Sequence, residues 1–300
     1  MKKKTYLFAL MAMALTLGSC SDNENGIGGE TSKYITVSTS IGNMTRVATD
    51  AKGGQTFEEG DEISVYAWTG DATVAPETRE RVVNNAINKL TNGSWVSTPQ
   101  MLWKNNRDKH YFIGVYPISA ISDLSAGEYT FDVNKQTESD LLVAVNKDGL
   151  SYNVDEQQPV PLTFTHVMAK LVVNLTYKNQ WGGIPTVEKV VVGNAAKEAT
   201  INYLTKVVTP STTAKEDFSL PEITENSKYV SVIIPQEEVK QLTIVIGGKN
   251  FVYDNGTPFK LESGKITTVN LEVGRDEIKL GDVKITNWEN GSTFSGEALN

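Results

Sequence analysis

The stretch Glu62-Ile63-Ser64-Val65-Tyr66-Ala67-Trp68 alternates between two kinds of side chain with a period of two. It is rich in β-branched and aromatic residues. The earlier stretch Tyr34-Ile35-Thr36-Val37-Ser38-Thr39-Ser40-Ile41 has the same alternation. A period of two is typical of β-strands, in which successive side chains point to opposite faces of the sheet. These two stretches predict strands and, with the segments that follow, an all-β fold.

Further segments with strand character continue along the chain to its C-terminal region. They are Tyr111–Tyr116, Tyr129–Val133, Leu141–Val145, Lys170–Thr176, Val187–Val192, Tyr229–Ile234, Leu242–Ile246, Asn250–Tyr253, Lys265–Val273 and Val283–Trp288. Glycine-containing turn signals such as Asn92-Gly93 and Gly247-Gly248 separate many of them. This spacing of short strands and turns indicates a β-sandwich.

Residues 78–90 do not fit the strand pattern directly. Their apolar residues lie at helical spacing behind Pro76, and these residues are Val82, Val83, Ala86, Ile87 and Leu90. The spacing alone leaves helix and strand open for this segment.

The N-terminus combines Lys2, Lys3 and Lys4 with an apolar run from Tyr6 to Leu17 that is too short to span a bilayer. Leu17-Gly18-Ser19-Cys20 follows, and then a polar tract. This arrangement predicts a lipoprotein signal peptide over residues 1–19, acylation of Cys20, and a flexible tether over residues 20–33. The alternative is an ordinary signal sequence followed by a free, buried Cys20.

Net charge and cysteine content restrict the partners and the source of stability. The formal charge is −8, and removal of the three N-terminal lysines with the signal peptide would make it −11. With no basic cluster beyond the signal, nucleic acid is not expected as a partner. Because Cys20 is the only cysteine, no intramolecular disulfide can form, and stability has to come from burial.

Side chains suited to catalysis or metal binding are sparse. His110 and His166 have no second histidine or cysteine at a metal-ligand spacing, so no metal site and no cofactor are predicted. We interpret His166 as a hydrogen-bonded core residue and His110 as a residue at the edge of a loop. The acidic stretch 58–62 fits a solvated turn better than a calcium loop. No nucleophile elbow, Walker loop or dinucleotide fingerprint is present, and the chain is not expected to be an enzyme.

The tryptophans allow a second interpretation. Exposed indole rings could stack on sugars, although aromatic residues in short strands mostly fill cores. The chain contains Trp68, Trp95, Trp103, Trp181 and Trp288.

Several short motifs occur in a characteristic order along most of the chain. They are Thr45-Arg46, Phe57-Glu58-Glu59-Gly60-Asp61-Glu62-Ile63-Ser64-Val65-Tyr66, Val115-Tyr116-Pro117, Leu162-Thr163-Phe164-Thr165-His166-Val167-Met168-Ala169-Lys170-Leu171, Ile234-Pro235-Gln236, Gly264-Lys265 and Ile285-Thr286-Asn287-Trp288-Glu289-Asn290-Gly291. Together they resemble the fimbrillin family, the Mfa-like subunits of type V pili of anaerobic Gram-negative bacteria.

The resemblance implies two tandem β-sandwich domains of transthyretin-like topology, with residues 78–90 as a strand. A polar, proline-flanked stretch over residues 155–161 suggests the division into domains at 34–160 and 161–300. The resemblance further implies that residues 34–46 are a removable first strand, cut between Arg46 and Val47 by an arginine-specific surface protease. Ile35, Val37 and Ile41 alternate on one face of that strand.

The vacated groove would then accept a donor strand from another subunit. The expected donor lies near residues 280–300, where Val283 and Ile285 alternate inward and Trp288 adds an apolar anchor. The expected function is that of a pilus subunit supporting adhesion, made as an outer-membrane lipoprotein precursor and placed at the cell surface in a fimbrium. Its expected partners are other pilus subunits, the protease, the outer membrane through lipid on Cys20, and a host or bacterial surface ligand.

The alternative is a permanently lipidated surface protein: a pilus anchor, a tip adhesin or a glycan-binding lipoprotein. A glycan-binding protein would use exposed aromatic residues such as Trp95 and Trp103. An enzyme acting on surface polysaccharide is a third possibility, because a linear sequence does not exclude a pair of carboxylates brought together by the fold.

Overall fold

The computed structural model describes residues 33–42, 56–152 and 158–288, and the fold is all-β, as predicted. The first ten strands are β1 Val37–Ile41, β2 Glu62–Thr69, β3 Arg81–Thr91, β4 Ser94–Thr98, β5 His110–Tyr116, β6 Gly127–Thr130, β7 Leu142–Leu150, β8 Val160–His166, β9 Ala169–Tyr177 and β10 Val187–Ala196. The remaining strands are β11 Glu198–Asn202, β12 Val207–Pro210, β13 Lys215–Ser219, β14 Glu222–Thr224, β15 Lys228–Ile233, β16 Gln236–Ile246, β17 Lys249–Leu261, β18 Lys265–Val273 and β19 Ile278–Asn287.

Helical structure in the described ranges is limited to short pieces. One α-helical turn, α1, covers Gln136–Ser139, and 3₁₀ turns cover Thr78–Glu80 and Asn179–Trp181. None of these is long and apolar enough to cross a membrane.

Residues 37–166 supply all strands of a seven-stranded sheet with the order β1-β8-β7-β5-β2-β3-β4. Its pairs are antiparallel except for β1 and β8, which run parallel. The central strand β2 is buried on both faces: Ile63 and Val65 belong to one apolar cluster, and Tyr66 and Trp68 belong to another. Each face of this sheet is therefore covered.

Two further sheets are formed by residues 169–287. One is four-stranded with the order β13-β10-β16-β17, and the other is five-stranded with the order β14-β15-β9-β18-β19. Val192 and Ile244 of the first sheet share a buried cluster with Val173 and Val269 of the second, as expected for the inner faces of a sandwich. A small sheet, β12-β11-β6, joins Gly127–Thr130 to the C-terminal half.

The apolar core consists of two clusters of unequal size. The larger contains the sandwich residues and also Tyr66, Trp68 and Ile113 from one face of the seven-stranded sheet. The smaller lies on the other face of that sheet and contains Ile35 and Val37. The division into domains at 34–160 and 161–300 stays a prediction, because residues of both halves contribute to the larger cluster.

Residues 81–91 form strand β3, which answers the question left open by their apolar spacing. The pairing with β2 is Val65 with Ala86 and Ala67 with Val83, so β3 contains one extra residue at this point. Asn85 in this bulge has a φ of 55°. The bulge brings Val83 and Ala86 to the same face although they are three positions apart, and this produces the helix-like spacing.

Candidate functional site

The first described segment, Lys33–Ile41, contacts both ends of the seven-stranded sheet. On one side, β1 pairs with β8 from Val37 opposite Val160 to Ile41 opposite Phe164. On the other side, which follows β4, the Ile35 N–H donates to the Met101 carbonyl at 2.9 Å, and the Trp103 N–H donates to the Lys33 carbonyl at 3.1 Å. Loss of this segment would leave backbone groups unpaired at both ends of the sheet.

Three apolar side chains of this segment point into the smaller cluster. Ile35, Val37 and Ile41 are 1%, 6% and 9% exposed. We call the space they fill the first-strand groove, and its buried walls include Ile63, Val65, Phe112, Leu162 and Phe164. The segment therefore acts as an apolar plug, and Thr36, Ser38 and Ser40 alternate onto its other face.

Polar contacts fix the register of the first strand. The indole N–H of Trp95 donates to the Thr39 hydroxyl at 3.0 Å, and the Ser40 hydroxyl donates to Thr163 Oγ1 at 3.2 Å. Just beyond β1, the Gly42 N–H donates to the Phe164 carbonyl at 2.8 Å. These contacts hold the strand in one register beside β8.

Phe57 sits among three aromatic rings beside the groove. Its ring makes edge contacts with Trp95, Tyr116 and Phe164 at centroid distances of 5.3, 5.4 and 5.1 Å. Burial raises the pKa of Tyr116 to about 12, so its hydroxyl stays protonated and donates to Asp61 Oδ1 at 3.3 Å. These rings are far apart along the chain, and the sequence alone does not show that they meet beside the groove.

The C-terminal strand β19 lies at an edge of the five-stranded sheet, and within the described residues its one strand partner is β18. Val283 is opposite Val269 and Ile285 is opposite Thr267, so each pair shares a sheet face. Val269 and Thr267 are fully buried, whereas Val283 and Ile285 are 38% and 41% exposed. In the described residues, Val283 and Ile285 are therefore not buried within their own subunit, contrary to the expected inward alternation, and their place in a donor strand stays a prediction.

Trp288, directly after β19, is fixed by three contacts. Its ring stacks on His166 with centroids 3.9 Å apart and an interplanar angle of 5°. The backbone N–H of Trp288 donates to the Gly264 carbonyl at 3.0 Å, and Lys170 Nζ lies 5.3 Å from the indole centroid. Burial lowers the pKa of Lys170 to about 8, against a smaller opposing effect of Asp140. Trp288 thus anchors β19 to its own subunit.

Comparison with known proteins identifies the family. The model of the fimbrillin-like family matches residues 45–288, which is most of the chain. The chain belongs to the fimbrillin-like family.

One curated relative is a Bacteroides uniformis protein inferred to be fimbrium subunit Fim1C, which is 29% identical over 182 residues. That match covers 58% of this fimbrillin-like chain and 56% of the relative, so it spans just over half the length of each.

Two solved structures share the fold. One is a protein of Bacteroides ovatus with an inferred role in cell adhesion, matched with a TM-score of 0.64 and 17% identity over 85% of this chain and 98% of that one. The other is a protein of Bacteroides uniformis with the same inferred role, matched with a TM-score of 0.64 and 19% identity over 86% of this chain and 100% of that one.

Several predicted site residues of the fimbrillin-like chain lie outside the described residues. They are Cys20, Arg46 and Val47. The C-terminal stretch 289–300 also lies outside the described residues. Their roles in lipidation, processing and strand donation stay predictions. The described residues on either side of Arg46 end at residue 42 and begin again at residue 56.

The structure shows where the two histidines interpreted from the sequence lie. His166 is buried and hydrogen-bonded, with Nδ1 2.8 Å from Asp140 Oδ1, as interpreted from the sequence. His110 lies at the edge of a loop, as interpreted, because it is the first residue of β5, but the structure adds that it is fully buried. Its Nε2 accepts a hydrogen bond from the Lys104 N–H at 3.0 Å, and burial lowers its pKa.

The acidic stretch 58–62 forms a turn. The Asp61 N–H donates to the Glu58 carbonyl at 3.0 Å, the Glu58 N–H donates to Asp61 Oδ2 at 2.7 Å, and Gly60 has a φ of 97°. Within residues 33–42, 56–152 and 158–288, no three His, Cys, Asp or Glu side chains are grouped so as to hold a metal ion.

Proposed function

We propose that this fimbrillin-like chain is a structural subunit of a cell-surface pilus that supports adhesion. It is exported as an outer-membrane lipoprotein acylated at Cys20, cleaved between Arg46 and Val47 by an arginine-specific surface protease, and polymerised by donor-strand exchange with other pilus subunits. The observation that carries the proposal is the position of Lys33–Ile41, which plugs an apolar groove and contacts both ends of one sheet.

The burial of the first strand gives cleavage an energetic consequence. Burying Ile35, Val37 and Ile41 contributes about 1.5–3 kcal/mol each, or roughly 5–9 kcal/mol together. The whole stability of a domain is about 5–15 kcal/mol. A chain that has lost the strand is therefore strongly driven to refill the groove, and an extended segment of another subunit can do so by β-augmentation.

The proposed donor lies near residues 280–300. Val283 and Ile285 supply exposed β-branched side chains at alternate positions on an edge strand, and Trp288 follows them. A strand of this kind can present apolar side chains to one face of a groove while its backbone pairs with the groove edge.

The first experiment is N-terminal sequencing with intact-mass measurement of the protein sheared from its native producer. A chain that begins at Val47 and carries no lipid supports the proposal. Arg46→Ala should then abolish both the cut and the fibres, whereas the control Arg107→Ala, in an exposed loop, should leave them intact. A cleaved chain that still forms fibres after Arg46→Ala would contradict the assigned processing site.

A second experiment tests the donor strand. Val283→Lys/Ile285→Lys should leave the subunit folded, because both side chains are already 38% and 41% exposed, but it should stop polymerisation. The matched control is Val96→Lys/Val252→Lys, at valines that are 54% and 43% exposed. Equal fibre formation by both variants would exclude Val283 and Ile285 from the donor.

The second candidate function is a permanently lipidated surface protein, namely a pilus anchor, a tip adhesin or a glycan-binding lipoprotein. It is favoured by the pairing of β19 with β18 along its whole length and by the docking of Trp288, because a donor strand has to be available to another subunit. A sheared or extracted chain that still begins at acylated Cys20 would support this candidate and overturn the polymerising one.

A further inference from the structure

A cavity of about 710 Å³ opens at one end of the seven-stranded sheet, separate from the walls of the first-strand groove. It lies between the end of β2, the start of β3 and the segment after β4, and its lining includes Trp68, Asp71, Arg79, Leu102, Trp103 and Lys104. Its size is within the range of small-molecule sites, about 300–1,000 Å³.

Trp103 forms a rigid aromatic wall of this cavity. Its ring is half-buried and packs edge-on against His110 and Phe112, with centroids 5.0 and 5.9 Å away at interplanar angles of 90° and 84°. Its backbone N–H is held by the Lys33 carbonyl at 3.1 Å. The neighbouring Leu102 is 49% exposed and extends the apolar surface. The wall is thus in place without a ligand, which lowers the entropic cost of binding.

The lining of the cavity carries three cations and two carboxylates, whereas the chain as a whole has a charge of −8. The cations are Arg79, Arg81 and Lys104, and the carboxylates are those of Asp71 and Glu80. Arg81 is committed to structure, since its guanidinium donates to the Ile121 and Ser122 carbonyls at 2.8 and 2.7 Å.

Arg79 and Lys104 are the rim cations that a ligand can reach. The side chain of Arg79 is 79% exposed and uses Nε to pair with Glu77 at 3.0 Å. The side chain of Lys104 is 55% exposed, and its Nζ donates to Thr69 Oγ1 at 3.2 Å and lies 4.0 Å from Asp108 Oδ2. Both can turn toward an anion in the cavity at little cost, because surface pairs of this kind contribute little stability.

From this combination we infer that the cavity binds an acidic saccharide, a sugar ring that carries a carboxylate. The apolar C–H face of the ring stacks on Trp103, its carboxylate lies at Arg79 and Lys104, and its hydroxyls hydrogen-bond to polar groups such as Asp71. This is a binding site in addition to the subunit contacts proposed above, and it is assigned to the uncut chain, in which the Lys33 carbonyl holds the Trp103 N–H.

Isothermal titration calorimetry on the full exported protein tests the site. The probes are a glucuronic-acid-containing tetrasaccharide, 3′-sialyllactose, lactose as the neutral control and an acidic tetrapeptide. Binding of either acidic sugar with a dissociation constant of about 1 mM or lower, with no binding of lactose, supports the site, and the sugar that binds identifies the source of the carboxylate. Absence of binding by both acidic sugars, or equal binding by the peptide, overturns it.

Variants locate the binding. Arg79→Gln/Lys104→Gln changes only exposed side chains and should weaken acidic-sugar binding by roughly tenfold or more, because charge-assisted hydrogen bonds are lost. The control Arg107→Gln/Lys189→Gln removes the same charges at exposed positions outside the cavity and should leave the affinity unchanged. Trp103→Phe, which retains an aromatic ring for packing, should also weaken binding. Equal affinity in the Arg79/Lys104 variant and its control would overturn the assignment.

Discussion

His166 connects the strand beside the first-strand groove to Trp288. It is the last residue of β8, two positions after Phe164, which pairs with Ile41. Its ring lies parallel to the indole of Trp288, with centroids 3.9 Å apart, and its Nδ1 is hydrogen-bonded to Asp140. The contact places the end of β19 against the same strand that holds β1, so the two segments expected to exchange between subunits are attached to one strand.

Trp288→Ala should loosen β19 without unfolding the chain. The stacked ring, its contact with Lys170 and its apolar surface are lost, and the edge strand is then held mainly by its pairing with β18. We expect amide hydrogen exchange in Ile278–Asn287 to become at least roughly tenfold faster, with smaller changes in β5. Trp288→Phe should give an intermediate rate. Unchanged exchange in β19 would show that Trp288 does not anchor the strand.

Ile35→Ala should destabilise the uncut chain. Ile35 is 1% exposed in the groove, and shortening a buried isoleucine to alanine typically costs about 2–5 kcal/mol. The free energy of unfolding, measured by urea denaturation, should fall by that amount, whereas the exposed neighbour Thr36→Ala should change it by less than about 0.5 kcal/mol. Equal effects of the two substitutions would mean that the first strand is not a plug.

Much of the fold was predictable because strands with one buried face carry a period of two. The alternation in Tyr34–Ile41 and Glu62–Trp68 predicted strands that the structure contains as β1 and β2. Where a bulge inserts one residue, as at Asn85, the period is broken and the local pattern is ambiguous. The strand β4, with exposed residues at alternate positions and few apolar side chains, was not predicted.

The surroundings of the candidate sites were less predictable, because they depend on contacts distant in sequence. Phe57 meets Phe164, and His166 meets Trp288, across more than a hundred residues. The burial of His110 arises from tertiary packing against Trp103 and is not visible in its polar sequence neighbours. For Val283 and Ile285, alternation identified the correct face, but burial depended on whether a second layer covers it.

Gly114→Ala should distort the first-strand groove. A Cβ at Gly114 would lie 2.7 Å from the ring carbon Cζ of Phe164 and 3.2 Å from Leu162, in a closely packed cluster. Overpacking of this kind costs about 1–3 kcal/mol, measurable as a lower free energy of unfolding. Gly193→Ala is the control, because its Cβ would meet the amide oxygen of the exposed Gln241, which can move away. A larger loss for the control would contradict this account of the groove.

Lys170 should make stability rise with pH in a defined range. Burial lowers its pKa to about 8, and Lys228 acts in the same direction while Asp140 opposes it. Between about pH 8 and the ordinary lysine value of about 10.4, the unfolded chain therefore holds more protons than the folded chain, and the free energy of unfolding increases with pH.

Comparison with Lys170→Met isolates this effect, because the other lysines and the tyrosines are the same in both proteins. From about pH 8 to 9.5, the unfolding free energy of the natural chain should rise more steeply with pH than that of the variant. The gain should be at most about 1.4 kcal/mol per pH unit, since one proton is involved. Lys189→Met, at an exposed position, should show no such difference. Parallel curves for the natural chain and Lys170→Met would mean that Lys170 stays fully charged beneath Trp288, and that the cation contributes to the docking of the C-terminal strand throughout this range.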